Sequence, residues 1–115
     1  MKKMIALLAM VSASLSVNAV AADAEAGKAA AAKYNCASCH GADYNSPVDP
    51  SYPKLAGQHA DYIEHALTAY QRGASGANGR GNAIMGGMAK PLSKTEIKDI
   101  AAYLSSLPGS LVLRK

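Results

Sequence analysis

The sequence predicts a small all-α domain, with three main helices joined by irregular loops. Apolar residues recur at helical spacing in two separate stretches, and a capped, alanine-rich stretch precedes them. No stretch shows the strict alternation of a half-buried strand, and glycine and proline concentrate between the helical stretches.

Residues 1–22 read as a cleaved signal peptide. Met1-Lys2-Lys3 is positive, an apolar run follows from Met4 to Val11, and small residues continue to Ala22. Ala19-Val20-Ala21 is a small-x-small cleavage signal, with cleavage expected after Ala21 or Ala22. The competing reading is a membrane anchor, but a spanning helix needs about 20 mostly apolar residues. Ser12, Ser14, Ser16 and Asn18 interrupt this run, and no cysteine at the junction offers a lipid attachment. Residues 23–115 then form one domain of about 93 residues.

The first helix is expected from Ala24 to Tyr34, with Asp23 as cap and Glu25 at the positive end. The second runs from His59 to Arg72; Ile63, Ala66, Leu67 and Tyr70 form one face, and Gly73 stops it. The third runs from Lys94 to Leu107. Its "SKTE" start is a capping box of Ser93 and Glu96, its buried stripe is Ile97, Ile100, Ala101 and Leu104, and Pro108-Gly109 ends it. Residues 42–57, with three prolines, and 73–92, with six glycines, are expected to be loops. The second is long for so small a domain, which marks it as functional or disordered.

Charge excludes one class of function. Removing Lys2 and Lys3 lowers the formal charge from +4 to +2, ten basic residues against eight acidic. No basic run follows a phosphate backbone, so nucleic-acid binding has no support. The chain has no Trp and no Phe, and alanine supplies much of its apolar content. A domain this small is marginal on such a core and needs a staple or a bulky group at its centre.

"NCASCHG", residues 35–41, holds both cysteines. On a helical turn Cys36, Cys39 and His40 share a face. Two thiols so spaced can add to the two vinyl groups of one haem edge, and the histidine then reaches the iron; C-x-x-C-H reads as a c-type haem attachment site. A thioredoxin-like dithiol would follow a strand in a β/α pattern, which is missing. Zinc would need His59 and His65 to complete four ligands, without the paired spacing of a zinc site. A disulfide between the two cysteines would close too short a loop to stabilise much. Haem attachment also explains why an exported small domain lacks a disulfide framework. For the far side of the iron, Met85, Met88, His59 and His65 are candidates; the two methionines share the glycine-rich segment "NAIMGGMAKPLS", where glycine permits close approach to a flat ligand.

The mature chain resembles the class I c-type cytochromes. "DAEAGKAAAAKYNCASCHGADYNSPVDPSYPKLAGQ" is similar to the opening, and "MGGMAKPLSKTEIKDIAAYLSSL" to the ending, of the small periplasmic cytochromes that form one half of two-haem carriers. The resemblance implies a class I cytochrome c fold, with three main helices and loops wrapped around one covalent haem and its iron. It makes Met85 the distal ligand and leaves Met88 to pack. It matches Pro53, Leu55 and Gly57 to a P-x-L-x-G pattern whose proline carbonyl accepts from the proximal histidine, here His40. It places Gly27 and Tyr103 where the first and last helices cross. Here tyrosines must do the packing done elsewhere by Phe and Trp.

The implied function is periplasmic one-electron transfer, without enzymatic turnover. Met/His ligation raises the potential relative to harder ligands. A haem enzyme or gas sensor with an open iron position is the rival; a subunit fixed to a larger dehydrogenase or oxidase is a third reading. Expected partners are a redox donor and acceptor, with a membrane-bound oxidase or dehydrogenase as candidates. Lys28, Lys33, Lys54 and Lys90 are available to steer an acidic partner.

Overall fold

The computed structural model describes residues 13–14 and 21–111. The expected signal peptide falls mostly outside the described residues, as does the extreme C-terminus. Five helices follow in order: α1 (Ala24–Lys33), α2 (Ala37–His40), α3 (Ala60–Arg72), α4 (Ala83–Ala89) and α5 (Lys94–Ser106). The described residues contain no strand.

The three expected helices form within a residue of their expected ends. Asp23 Oδ1 accepts from the N–H groups of Glu25 and Ala26, at 2.9 and 3.2 Å, and so starts α1. At its other end Asn35 takes a left-handed φ of 60°, which asparagine tolerates. The chain therefore turns between α1 and the cysteine motif instead of running straight into it. α3 stops at Gly73, whose φ is 69°. The Ser93–Glu96 capping box of α5 is formed in both directions.

Two short helices add to these three, and the first is the helical turn expected of the cysteine motif. The four residues of α2 carry the second cysteine and the histidine. α4 lies inside the stretch read as loop. Asn82 Oδ1 accepts from Ile84 and Met85 N–H, each at 3.0 Å, and this cap organises a helical turn that glycine content alone disfavours.

α1 crosses α5, and the crossing depends on Gly27. Gly27 is buried, and a Cβ there would overlap the carbonyl of Asp99 and sit 2.9 Å from Ile100 N. The nearest neighbour of Gly27 is thus the α5 backbone rather than a side chain. Tyr103 packs edge-on against Tyr44, with ring centroids 5.9 Å apart. Polar contacts pin both ends of the crossing. Asp23 N–H donates to Asp99 Oδ1 at 2.9 Å, and Tyr34 OH to Glu96 Oε1 at 3.1 Å. Lys33 pairs with Glu96 at 3.7 Å.

The core is small. Ile97, Ile100, Ala101 and Leu104 of α5 meet Ala30 and Ala31 of α1, with Tyr44, Ala56, Ile63 and Leu92 completing it. Of the expected apolar face of α3, only Ile63 is buried; Ala66, Leu67 and Tyr70 are half-buried. These three line a cavity, so the apolar face was read correctly but protein does not cover it.

Gly27→Ala should destabilise the folded protein by about 1–3 kcal/mol, the usual cost of overpacking, even though alanine favours a helix over glycine by about 1 kcal/mol. Denaturant unfolding measures the sign. A variant as stable as its parent would mean that the α1 and α5 backbones do not meet at this point.

Candidate cofactor site

α2 begins where α1 ends. Cys36 has helical backbone angles, and its carbonyl accepts from Cys39 and His40 N–H at 3.4 and 3.2 Å. This single turn turns Cys36, Cys39 and His40 toward one cavity of about 150 Å3. Gly41 follows with φ 91°, and a Cβ there would run into the Ser46 backbone. The chain can therefore reverse directly after the histidine only with glycine.

Both cysteines are free thiols and half-buried. Burial pushes the Cys36 thiol above its ordinary range. A dithiol redox centre needs the opposite, a thiol lowered by positive surroundings. The zinc reading also lacks its geometry. Among the described residues no group of three or more His, Cys, Asp or Glu side chains could hold a metal ion. His59 sits exposed at the start of α3, and exposed His65 lines a separate cleft of about 760 Å3 between α3 and α5.

His40 is 6% exposed, and its Nδ1 lies 2.9 Å from Pro53 O. A carbonyl only accepts, so Nδ1 carries the proton and donates, which leaves Nε2 with its lone pair free. The carbonyl is held by an ordered loop. Leu55 and Ala56 N–H both donate to Tyr44 O, at 2.8 and 3.0 Å, and Gly57 N–H donates to Leu104 O at 3.0 Å. Tyr44 itself is buried with a left-handed φ of 55°. Burial pushes its hydroxyl up to about 12, so the ring stays neutral.

A second cavity, about 240 Å3, adjoins the first; Cys36, His40, Pro53, Tyr70 and Met85 line both. Its floor is apolar: Ile63, Leu67, Leu92, Ile100 and Leu104. Met85, half-buried on α4, lines both cavities. Met88 lines only the smaller one and is 37% exposed, so it is less packed than the sequence suggested.

The polar rim of the larger cavity includes Lys54, Gln58, Tyr62 and Arg80. Arg80 lies over the rings of Tyr62 and Tyr70, 5.6 and 5.5 Å from their centroids, and its Nη2 donates to Tyr62 OH at 3.2 Å. Sequence reasoning singled out neither Arg80 nor Asn82. The only signal for Arg80 was a lone arginine in a glycine-rich loop.

These residues suit a flat, mostly apolar macrocycle with two carboxylates. The cavity offers two thiols at one edge, an imidazole nitrogen, a thioether on α4, apolar floor residues and two cations at the rim.

Comparison with known proteins gives the same picture. The cytochrome c family model matches residues 24–108. The chain is 46% identical over 95 residues to cytochrome c4 of Stutzerimonas stutzeri, covering 79% of this chain and 44% of that protein. It is 45% identical over 71 residues to cytochrome c-554(548) of Halomonas halodenitrificans, covering 62% of this chain and 82% of that protein. The crystal structure of reduced recombinant cytochrome c4 from Pseudomonas stutzeri superposes with a TM-score of 0.68 at 42% identity, over 79% of this chain and 48% of that one. The chain thus spans under half of the cytochrome c4 protein and most of cytochrome c-554(548). Since the match runs from α1 through α5 on an all-helical class I fold, the chain belongs to the cytochrome c family and carries that family's covalent haem c and iron.

Proposed function

We propose that the chain is a periplasmic one-electron carrier, with thioether links at Cys36 and Cys39 and with His40 and Met85 as axial ligands. One observation carries this function: His40 and Met85 line the same two adjoining cavities, with both thiols at the edge of one of them.

Bound haem supplies the one-electron couple. The protein's residues tune and isolate it. The His40 Nδ1–H bond to Pro53 O fixes the ring and raises the basicity of Nε2. The soft thioether of Met85 favours the ferrous state, and the apolar floor disfavours the extra charge of the ferric state. Held by both His40 and Met85, a bound haem would have no open position for a substrate.

The haem-enzyme and gas-sensor readings need a polar group on the methionine side. Besides the methionines, α4 and its cap offer that wall Ile84 and Asn82. The Asn82 oxygen is engaged by two backbone N–H groups, which leaves its amide nitrogen as the polar group of that wall. Export rests on the leader read from Lys2, Lys3 and Ala19-Val20-Ala21. None of the described helices is long and apolar enough to cross a membrane.

The denatured protein should keep its haem colour in a gel and gain one haem mass. Release of the haem into acidified organic solvent would refute attachment at Cys36 and Cys39. Met85→Ala should abolish the weak near-infrared sulfur-to-iron band of the ferric protein and let the ferrous protein bind carbon monoxide, while Met88→Ala should do neither. The reverse pattern would move the ligand to Met88. Carbon monoxide binding by the unaltered protein would favour an open iron and the sensor reading.

A further inference from the structure

We propose that Gln71 is a positioning residue that holds Met85 on the iron by clamping the far end of α4. The inference rests on Met85 being the axial ligand.

α4 is poorly equipped to hold its own position. It has seven residues, too few for a stable isolated helix. Gly86 and Gly87 lower its propensity further. Few side chains hold it in place, with Ile84 56% and Met88 37% exposed although both border the smaller cavity. Asn82 caps the start, but the end lacks a donor in the usual place. Pro91 has no N–H, and the Ser93 N–H that would continue the helical ladder onto Ala89 O donates instead to Glu96 Oε1 at 3.1 Å. Only Leu92 N–H reaches Ala89 O from within the segment, at 3.1 Å.

Gln71, near the end of α3, makes up the deficit. Its Nε2 donates to Ala89 O at 2.9 Å and to Leu92 O at 2.7 Å. Two carbonyls can only accept, so the amide nitrogen must face them. Ala89 is fully buried and Leu92 nearly so. One side chain thus ties α3 to the end of α4 and to the turn that leads into α5. Met85 lies four residues before Ala89, one helical turn away on the same face. The next α4 residue, Gly86, runs close to α3, and a Cβ there would be 3.8 Å from Tyr70 O. The amide therefore sets how far the Met85 turn sits from α3, and so how readily its sulfur leaves the iron.

The test is ligand exchange in the haem-loaded ferric protein, with imidazole as the probe. Gln71→Met keeps the length and removes both donors; Gln71→Glu keeps the shape and turns a carboxylate toward two carbonyls. Either variant should bind imidazole about tenfold or more tightly than the parent, since two hydrogen bonds of ordinary net worth are lost. The sulfur-to-iron band should vanish at correspondingly lower imidazole. Amide exchange should quicken in α4 and stay unchanged at the α1–α5 crossing. Tyr34→Phe is the control. It removes the hydroxyl bond to Glu96 at the α1–α5 crossing and should leave imidazole affinity as it is. Parental affinity in whichever Gln71 variant loads haem, or an equal gain in Tyr34→Phe, would overturn the clamp and leave the ligand assignment standing. Persistence of the band in Met85→Ala would remove the ligand assignment, and the clamp with it.

Discussion

The contact of Gly27 with the backbone of Asp99 and Ile100 is the constraint on which the rest depends. It lets α1 and α5 approach at backbone distance, which no side chain larger than hydrogen permits. The end of α1 then delivers Cys36 and His40 to the side where Ile100 and Leu104 line the larger cavity. The Tyr34–Glu96 bond adds one polar contact between the two helices at that end. Leu104 O anchors the loop through Gly57 N–H, and Gly109 passes so close to Ala56 O that it too admits no Cβ. Pro53 O, the partner of His40, is therefore positioned from the end of α5, which the same crossing fixes.

The same crossing explains why the protein core stays small. Alanines on α1 allow close approach but fill little volume. Larger apolar residues that the core only partly covers, Leu55 and Leu67 among them, line the cavity. Burial of apolar surface stabilises by about 25 cal/mol per Å2, and the part of these side chains that faces the cavity gains it only against the macrocycle. A group that binds the folded chain and not the unfolded one shifts the folding equilibrium in its favour. The prosthetic group thus completes the core as well as the redox centre. This is how a chain without Trp or Phe can fold at this size.

Much of this was legible in the sequence, and the gaps have physical causes. A cap located α1, an apolar face and a glycine stop located α3, and α5 offered both a capping box and a buried stripe. α4 was hidden because its support lies outside it, in the Asn82 cap and the Gln71 amide. Gly27 was recognised as a packing glycine, but the α5 backbone was missed as its nearest neighbour. Sequence position indicates where two helices cross, not whether a ring or a carbonyl faces the gap. Basic residues were likewise sought among Lys28, Lys33, Lys54 and Lys90. Yet Arg72, Arg80, Lys94 and Lys98 line one cleft, where Glu64 is the lone carboxylate residue.

The methionine pair shows where spacing runs out. Met85 and Met88 are three residues apart, close enough on a helix to share a broad face. A short helix resolves such a pair through the residue that seals it. Ala89 is wholly buried, so the inner line of α4 passes through Ala89 and, one turn earlier, Met85. Met88 is rotated about 100° from Ala89 and falls toward solvent and the rim of the smaller cavity. In the proposed ligation the preference for Met85 follows from an alanine with no chemistry of its own, because the burial of Ala89 sets the rotation of the helix.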